Sequence, residues 1–488
     1  MLKTIVSKLS RIQLKNPGAL AINLYKQLGP RKKVDLIKLA SGIQKSKTSR
    51  YQHVIIGMFR AEISSNFLDL YLYQVLRDAG VDVKVLLCDG STFPCDSIDS
   101  ETNIFNYRCM DCKATQQQFG EIIRAEHIIR PKKTHSAPGK VENINVISSA
   151  RRFDKIEHGY DENLAKRYQQ TYDSIKALLE GRDMDLLIMS HGMYATWGAM
   201  RDYCQENGVD YITWGRTYFE NMLSVVKNCT INEGVNAEYA DLDIAHPEEL
   251  KLLLKSVDSR IANYRSVDYY AYLKSENPSP SNILDRIKAH SGKSVATYLG
   301  IPWDGTVYGS NGDFKGQRDL IRSIVESAAA HPEIVYVFRV HPKESETTEK
   351  ASEQIQELCG GRLPNVLVLD ARSPVTSYEL MKVVGLNIVY SGTLALEIAR
   401  AGFPLVVCGK NLTSNFPGIK TISTSAQLES VWLSDFSDYR SQGVDMLFNN
   451  IAKTFYIDDL SNTEVYDVTS LNKCSTLVDR ILQDLVFV

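Results

Sequence analysis

Residues 389–407, VYSGTLALEIARAGFPLVV, contain the pattern from which we predict the fold of this chain. An apolar strand ends at Tyr390, and the Ser-Gly-Thr turn at 391–393 leads into a helix that stops at Gly402. A proline then opens a second apolar strand. Strand, turn, helix and strand in this order form the repeating unit of a parallel sheet, so we predict an α/β protein.

The same alternation recurs along most of the chain. Short apolar runs indicate buried strands, and the segments between them have the spacing of amphipathic helices. Sheets built in this way are parallel, and helices cover both of their faces. We predict strands at residues 53–59, 81–90, 184–192, 209–215, 293–300, 334–340, 365–370, 387–392 and 404–409, and helices at 66–80, 195–208, 316–331 and 393–402.

A segment rich in proline, serine and asparagine, KSENPSPSN at 274–282, divides the chain. A chain of 488 residues is too long for one ordinary core, so we predict two doubly wound, Rossmann-like domains that face a central cleft. Open sheets of this kind bind ligands outside the carboxyl ends of their strands. The predicted parts are a basic helical extension at 1–50, a first domain with a cysteine-containing insertion at 51–275, a second domain at 276–470 and a C-terminal helix at 471–488.

The composition and charge of the chain restrict the class of protein. Hydrophobic residues make up 44% and charged residues 23%, and the formal net charge is -2. These values are typical of a soluble globular protein and argue against general nucleic-acid binding, which needs a basic excess to neutralise phosphates. No apolar run is long enough to span a bilayer, and the N-terminus lacks the pattern of a signal peptide, so we expect a cytoplasmic protein.

Residues 1–50 differ from the rest of the chain in charge. Cations dominate there, Asp35 is the only acidic residue, and apolar residues recur at roughly helical spacing between Leu2 and Ile12. A basic amphipathic helix binds anionic membrane surfaces, so one interpretation is peripheral attachment to the inner membrane. The alternative is a solvated extension that packs on its own protein.

The turn at 391–393 has the features of a phosphate-binding loop. Backbone N–H groups at a helix start carry partial positive charge, and glycine lets a phosphate approach the backbone closely. Glu397 lies one turn into the helix, where it would meet the ribose of a nucleotide. The alternative is an ordinary βαβ unit in which Ser391 or Thr393 caps the helix and Glu397 is a surface residue. We favour a nucleotide-sugar site formed by Ser391, Gly392, Thr393 and Glu397.

Three His-Pro pairs occur in the sequence, and one of them has no simple local explanation. Residues 246–247 resemble a helix start, with proline and acidic residues in the first turn, and residues 331–332 resemble a helix end. The pair at 341–342 lies in VYVFRVHPKE, residues 335–344, and follows an apolar strand. Proline cannot continue the hydrogen bonding of a sheet, so the chain must turn outward at this point.

This outward turn would present His341 at the edge of the second sheet. Imidazole can donate a hydrogen bond to a phosphate, and it adds positive charge when it is protonated. Arg339 and Lys343 supply further cations within the same few residues. We therefore predict that Arg339, His341 and Lys343 bind the donor, and the alternative is a surface turn after a strand.

The stretch at 391–407 resembles the donor-binding segment of glycosyltransferases with the GT-B fold and of the related sugar-nucleotide 2-epimerases. In those families the small-residue turn holds the phosphates of the donor, and the glutamate holds its ribose. The resemblance carries these roles to residues 391–393 and to Glu397.

The residues before this stretch resemble a narrower group. The block at 303–321 and the R-x-HP-x-E pattern from Arg339 to Glu344 are similar to bacterial capsule-assembly glycosyltransferases. That group includes enzymes that use CMP-activated sialic acid or Kdo. The resemblance covers most of residues 290–410, and the first domain matches in pattern more than in sequence.

The resemblance implies a metal-independent glycosyltransferase with a GT-B-like fold. The second domain would bind a CMP- or UDP-linked sugar, and the first would bring a capsular or surface glycan or a glycolipid acceptor, within a capsule assembly complex. Negative charge develops on the leaving phosphate, and His341 and Arg339 would stabilise it. Two alternatives stay open, a sugar-nucleotide 2-epimerase and a non-catalytic component of capsule assembly or export.

An inverting sugar transfer needs a base that deprotonates the acceptor hydroxyl. Three unranked candidates lie at predicted strand ends of the first domain, namely Glu62, Asp89 and His191. For His191 the alternative is an ordinary histidine at the start of a loop. Arg216 and Tyr218 are weaker candidates for contact with the acceptor.

Four of the 9 cysteines are close together in the sequence, at Cys88, Cys95, Cys109 and Cys112. The last two form a CxxC pair, which is one half of a typical tetrahedral zinc site, although the first pair is spaced more widely. One interpretation is a structural zinc site, and the alternatives are free thiols or a disulfide, which the cytoplasm disfavours. A closed four-cysteine site leaves no open position for catalysis.

Overall fold

The computed structural model describes residues 49–59, 63–88, 112, 116, 119, 122–130, 143–147, 162–217, 219, 221–231, 246–263, 282–290, 292–301, 308–342, 344, 350–414, 416–458 and 468–486. The predictions for the basic extension fall almost entirely on residues 1–48, which lie outside this part of the chain. Strands and helices alternate through it, which confirms the α/β class. Among these residues, no helix combines the length and the hydropathy that a membrane span requires.

The described strands form two sheets. In chain order they are β1 (His53–Met58), β2 (Asp82–Leu87), β3 (Ile128–Ile129), β4 (Leu186–Ser190), β5 (Asp210–Arg216), β6 (Met222–Lys227), β7 (Ser294–Tyr298), β8 (Val335–Arg339), β9 (Val366–Leu369), β10 (Leu386–Val389), β11 (Leu405–Val407), β12 (Lys420–Thr421) and β13 (Phe455–Ile457).

The α-helices occupy the segments between these strands and the end of the chain. They are α1 (Ile63–Asp78), α2 (Glu162–Leu179), α3 (Tyr194–Asn207), α4 (Pro247–Asn263), α5 (Asn282–Ala289), α6 (Gln317–Ala330), α7 (Ala351–Cys359), α8 (Ser377–Leu380), α9 (Leu394–Arg400), α10 (Ser425–Leu433), α11 (Val444–Ala452) and α12 (Val468–Leu485). Two short 3₁₀ helices lie at Ala125–His127 and Phe436–Tyr439.

The first sheet has the order β3-β2-β1-β4-β5-β6-β13. Strand β1 pairs in parallel with β2 on one side and with β4 on the other, and β13 pairs antiparallel with β6. The strand order thus reverses between β1 and β4, which is the arrangement of a doubly wound sheet.

The second sheet has the order β9-β8-β7-β10-β11-β12, and every neighbouring pair in it is parallel. The chain moves outward from β7 to β9 and then returns to place β10 beside β7. This is the strand order of the Rossmann fold. The two Rossmann-like sheets confirm the predicted fold class, and the central cleft stays a prediction.

The strands of the second sheet are apolar because both faces of this sheet are covered. Successive side chains of a strand point to opposite faces, and here Val295 and Ile388 pack in one core cluster while Ala296 and Val389 pack in another. Helix α6 covers the first face, whereas α4 and α9 cover the second.

Contacts group the described residues into two compact units, one within 1–141, 162–212 and 458–488 and the other within 142–161 and 213–457. This grouping divides the chain at other residues than the predicted domain limits. Helix α4 belongs to the second unit because Leu253 and Val257 pack in a core cluster of the second sheet. The C-terminal helix α12 belongs to the first unit, where it contacts α1.

Two of the three His-Pro predictions are confirmed by local structure. Helix α4 begins at Pro247, with Glu248 and Glu249 in its first turn. Helix α6 ends at Ala330, and His331 is its C-terminal cap residue. The third pair, at 341–342, follows strand β8 as predicted.

Candidate functional site

The candidate site lies at the carboxyl ends of β7 and β10. These two strands are neighbours, and Tyr298 and Val389 are register partners at their ends. The helix that follows β7 packs on one face of the sheet, and the helix that follows β10 packs on the other. The two connections therefore leave in opposite directions, and this is where open α/β sheets form a ligand-binding crevice.

The predicted phosphate turn at 391–393 begins two residues after Val389, at this crevice. Gly392 is exposed and has a φ of 111°, a conformation that favours glycine. A Cβ atom placed there would meet no described atom within 4 Å, so the turn is open on that side. Thr393 is the N-cap residue of α9, but its side chain makes no capping hydrogen bond within the described structure.

Backbone segments pack tightly around the end of β10. A Cβ atom on Gly409 would lie 2.4 Å from the carbonyl oxygen of Tyr390 and 3.0 Å from that of Gly309. The backbone N–H of Lys410 also donates a hydrogen bond to the Gly309 carbonyl, with an N···O distance of 2.8 Å. The loops after β7 and β11 thus close on the residue that precedes the 391–393 turn.

A residue from the first half of the sequence reaches the same loops. The Tyr308 hydroxyl donates a hydrogen bond to Asn145 Oδ1 over 2.8 Å, and Asn145 is completely buried. Sequence reasoning did not identify this pair, since 163 residues separate its members.

Glu397 is buried, with 3% of its surface exposed, so the interpretation of this residue as a surface residue is wrong. Its Oε1 atom lies 3.0 Å from Nη1 of Arg260 in helix α4, and Tyr378 also hydrogen bonds to the carboxyl group. Burial raises the pKa of the Glu397 carboxyl above its ordinary value, and Arg260 and Tyr378 oppose this increase. The Arg260 guanidinium in turn lies 4.7 Å from the ring centre of Phe219.

Sequence reasoning missed Arg260, although a signal for it exists. Leu253, Val257 and Arg260 follow the spacing of the buried stripe of an amphipathic helix, and all three are buried. An arginine on such a stripe needs a buried partner of opposite charge. The pattern indicates that a partner exists, but it does not identify Glu397.

Arg339 is the last residue of β8, and it is buried, with 7% of its surface exposed. Its Nη1 atom donates a hydrogen bond to the backbone carbonyl of Asp370 over 2.5 Å. The Nε atom has no hydrogen-bond partner, and the guanidinium forms no salt bridge with the part of the chain that the structure describes. Burial lowers the pKa of the Arg339 guanidinium to about 10.

The turn that contains His341 is held by a buried glutamate. The backbone N–H of Glu344 donates to the His341 carbonyl over 2.9 Å, and His341 itself is half-buried. The Glu344 carboxylate accepts hydrogen bonds from the backbone N–H groups of Ala351 and Ser352. Lys343, which we also predicted to bind the donor, lies outside the described residues.

The two predicted phosphate-binding turns share one edge of the second sheet. Arg339 is the register partner of Tyr298, and Tyr298 is the register partner of Val389. Neighbouring strands are about 4.8 Å apart, so the backbones of Arg339 and Val389 are separated by about 10 Å. A sugar linked to a nucleoside diphosphate or to a nucleoside monophosphate is long enough to contact both turns.

Of the three base candidates, His191 is the one that the structure describes, and it lies at the end of a strand of the first sheet. His191 directly follows β4, which is next to β1 at the strand-order reversal of that sheet. Its Nδ1 atom accepts a hydrogen bond from the backbone N–H of Met193 over 3.3 Å, and its ring lies 4.7 Å from that of Trp197. Glu62 and Asp89 are outside the described part of the chain.

The weaker acceptor candidates and the cysteines are also described only in part. Arg216 is exposed at the end of β5, while Tyr218 falls outside the described ranges. Cys88 and Cys112 are half-buried, and the other two cysteines of the predicted zinc site, Cys95 and Cys109, are not among the described residues. Within the described ranges no group of three or more His, Cys, Asp or Glu residues could hold a metal ion. The zinc site therefore stays a prediction.

Comparisons with known proteins give similarity at the level of the fold. No family model and no curated protein sequence matches the chain. A solved structure described as Thermosulfurimonas dismutans KpsC, beta Kdo 2,4 transferase, is 12% identical, with a TM-score of 0.35, over 57% of this chain and 80% of that one. The UDP-GlcNAc 2-epimerase of Neisseria meningitidis bound to UDP-GlcNAc is 12% identical, with a TM-score of 0.26, over 88% of this chain and 99% of that one. A putative UDP-N-acetylglucosamine 2-epimerase of Listeria monocytogenes is 11% identical, with a TM-score of 0.27, over 89% of this chain and 97% of that one. At these values no conclusion about activity rests on the likeness.

Proposed function

We propose that this protein is a glycosyltransferase that moves a sugar from a nucleotide-activated donor to a glycan or glycolipid acceptor. The donor would bind at the carboxyl edge of the second sheet, in the crevice between β7 and β10. The main support is the buried guanidinium of Arg339, which lies at this edge, has an Nε atom without a hydrogen-bond partner and forms no salt bridge within the described part of the chain.

A buried guanidinium without a salt bridge is unfavourable, because it has lost water. The hydrogen bond to the Asp370 carbonyl and the attraction of the Asp370 carboxylate do not offset the effect of burial, which lowers the pKa of Arg339. A phosphate bound beside Arg339 would replace the lost interactions, since phosphate oxygens match the planar fork of N–H groups. His341 and the open turn at 391–393 would contact the same phosphate or its neighbour. Glu397 would accept hydrogen bonds from the ribose.

The same groups would act during the transfer. When the bond between the sugar and the phosphate breaks, negative charge develops on the departing phosphate. Arg339 and His341 would stabilise that charge, and the acceptor hydroxyl would lose its proton to one of the base candidates. We propose Glu62, Asp89 and His191 for this role, without preference among them.

The proposal includes the finer features that the sequence predicts. The donor would be CMP- or UDP-linked, and the acceptor would belong to a capsular or surface polysaccharide made by an assembly complex. Residues 1–50 would attach the protein to an anionic membrane surface, and the four cysteines Cys88, Cys95, Cys109 and Cys112 would bind a structural zinc ion.

A thermal-shift panel with CMP, UDP, GDP and their sugar derivatives tests the donor site. A nucleotide at one hundred times its dissociation constant should stabilise the protein by about 2.7 kcal/mol. We expect one nucleotide to shift the wild type and to shift the His341→Ala and Arg339→Met variants much less. His290→Ala is a matched control, because His290 lies just before the amino end of β7, at the opposite edge of the sheet.

If no nucleotide at millimolar concentration raises the melting temperature of the wild type, the proposed function is contradicted. Incubation with UDP-GlcNAc alone tests the main alternative. Formation of a new nucleotide sugar without an acceptor would favour a sugar-nucleotide 2-epimerase over a glycosyltransferase.

A further inference from the structure

Two ion pairs join helices α4 and α9, and they differ in burial. Arg260 of α4 pairs with Glu397 of α9, and both side chains are buried. One turn away, Arg400 of α9 pairs with Asp258 of α4 through two hydrogen bonds of 2.9 and 3.1 Å, in an exposed position. Apolar side chains of both helices, Val257 of α4 and Leu396 of α9 among them, pack in the same core cluster and hold the helices together. The buried pair therefore calls for another explanation.

A buried ion pair is a weak source of stability, because removing two charges from water offsets most of their attraction. Apolar replacements of buried ion pairs are often neutral or stabilising in proteins. The core around these helices is apolar at the neighbouring positions Val257 and Leu396. This contrast suggests that Glu397 and Arg260 serve the site at the end of β10.

The direction of the side chain supports this conclusion. Side chains of an α-helix lean toward its N-terminus, and a glutamate one turn into α9 follows the 391–393 turn at the spacing that this lean favours. An ionised carboxylate accepts about four hydrogen bonds. Arg260 and Tyr378 account for two of them, which leaves capacity for the two hydroxyl groups of a ribose.

We propose that Arg260 is a positioning residue that orients the Glu397 carboxylate for the 2′- and 3′-hydroxyl groups of the donor nucleotide. This inference rests on the proposed function. It adds helix α4, which precedes the predicted domain boundary at 274–282, to the donor site. Burial by itself favours the protonated form of Glu397, and Arg260 is the strongest influence that opposes it. Without Arg260 the group would take up a proton more readily and would be a poorer acceptor for ribose hydroxyls.

The test compares the affinities of ribonucleotides and 2′-deoxynucleotides. The nucleotide that gives the largest thermal shift and its 2′-deoxy form are titrated calorimetrically into the full chain. One hydrogen bond to a charged group corresponds to a preference of about 10- to 100-fold, so we expect that preference in the wild type. Arg260→Met should reduce it to about threefold or less, and Arg260→Lys should restore part of it.

Asp258→Asn is the matched control, because it weakens the exposed pair between the same helices without a change at Glu397. It should keep the full preference for the ribonucleotide. If Arg260→Met keeps that preference too, Arg260 only docks the helix and the inference is overturned. Should Arg260→Met fail to fold, Arg260→Lys takes its place, since lysine keeps the positive charge but loses the planar geometry of the guanidinium. A full, wild-type preference for the ribonucleotide in Arg260→Lys would then overturn the inference.

The inference and the proposed function fail in different ways. If the wild type binds no nucleotide, the proposed function is wrong and the inference falls with it. If the wild type binds a nucleotide but does not distinguish ribose from deoxyribose, the inference is wrong and the donor site stands.

Discussion

The carboxylate of Glu344 accepts a hydrogen bond from the backbone N–H of Ala351 over 2.9 Å, at the first residue of helix α7. It also accepts hydrogen bonds from the backbone N–H and the hydroxyl of Ser352. Glu344 follows the His341-Pro342 pair, so a single side chain joins that turn to the start of a helix. The glutamate of the R-x-HP-x-E pattern is therefore a helix cap that holds the histidine turn in place.

We expect Glu344→Ala to lower the free energy of unfolding by about 1–3 kcal/mol, because the first backbone N–H groups of α7 lose their buried acceptor. Urea denaturation measures the loss, and hydrogen exchange should increase at Ala351 and Ser352. Glu353→Ala is the control, since Glu353 is exposed in the first turn of the same helix. Equal losses in the two variants would contradict the capping role.

Arg339→Met separates binding from stability. The substitution removes a buried guanidinium that has an unpaired Nε atom, so the free energy of unfolding without ligand should stay the same or rise by about 1–3 kcal/mol. The same variant should lose the stabilisation by nucleotide. Thermal melts with and without ligand measure both effects. Arg372→Met is the control, because Arg372 is exposed near the same strand ends, and it should change neither the free energy of unfolding nor the stabilisation by nucleotide. If Arg339→Met is strongly destabilised without ligand, Arg339 has a structural role instead.

Gly409→Ala tests the tight packing at the end of β10. The added methyl group would lie 2.4 Å from the carbonyl oxygen of Tyr390, so the backbone must shift. We expect a loss of about 1–3 kcal/mol in the free energy of unfolding and weaker nucleotide binding, because the displaced residues precede the 391–393 turn. Gly361→Ala is the control, since a methyl group there meets no described atom within 4 Å and only its φ of 69° is unfavourable. That variant should lose some stability but keep its affinity for nucleotide.

The stability of the first unit should depend on pH through His127. Burial lowers the pKa of His127 below its ordinary value of 6.5, and Lys84 adds to the decrease. The Tyr73 hydroxyl lies 2.9 Å from Nδ1 of this residue. Between the two pKa values the unfolded chain binds more protons than the folded protein, so this contribution to stability is complete above pH 6.5 and declines as the pH falls below it.

His127→Gln removes that contribution. We expect the difference in free energy of unfolding between wild type and His127→Gln to shrink from pH 7.5 to pH 5.5. Urea denaturation at both values measures it, and a difference independent of pH would show that His127 does not titrate in this range.

Much of the fold could be predicted from local patterns. The apolar runs at 334–340 and 387–392 correspond to β8 and β10, because strands buried on both faces are apolar throughout. The turn at 391–393 and the outward turn after β8 follow from the local chemistry of glycine and proline. These features depend on neighbours in the sequence, and short-range physics decides them.

The partners of the candidate site residues could not be predicted in this way. Arg260 and Glu397 are separated by 137 residues, and nothing local to either one shows that they meet. The expectation that Glu397 could be a surface residue failed for the same reason, since α4 covers it only in the folded chain. That the Nε atom of Arg339 has no hydrogen-bond partner likewise depends on which groups the fold places around β8.

By itself, the sequence determined the alternation of strands and helices, the glycine turn after β10 and the proline that ends β8, since each depends on backbone propensity and hydrophobic periodicity. Only the tertiary structure decided that Glu397 is buried against Arg260, that Glu344 caps a helix, and that Arg339 shares an edge with the 391–393 turn. The physical reason is that burial and ion pairing between distant residues arise from strand order and helix packing, which bring together side chains that are far apart along the chain.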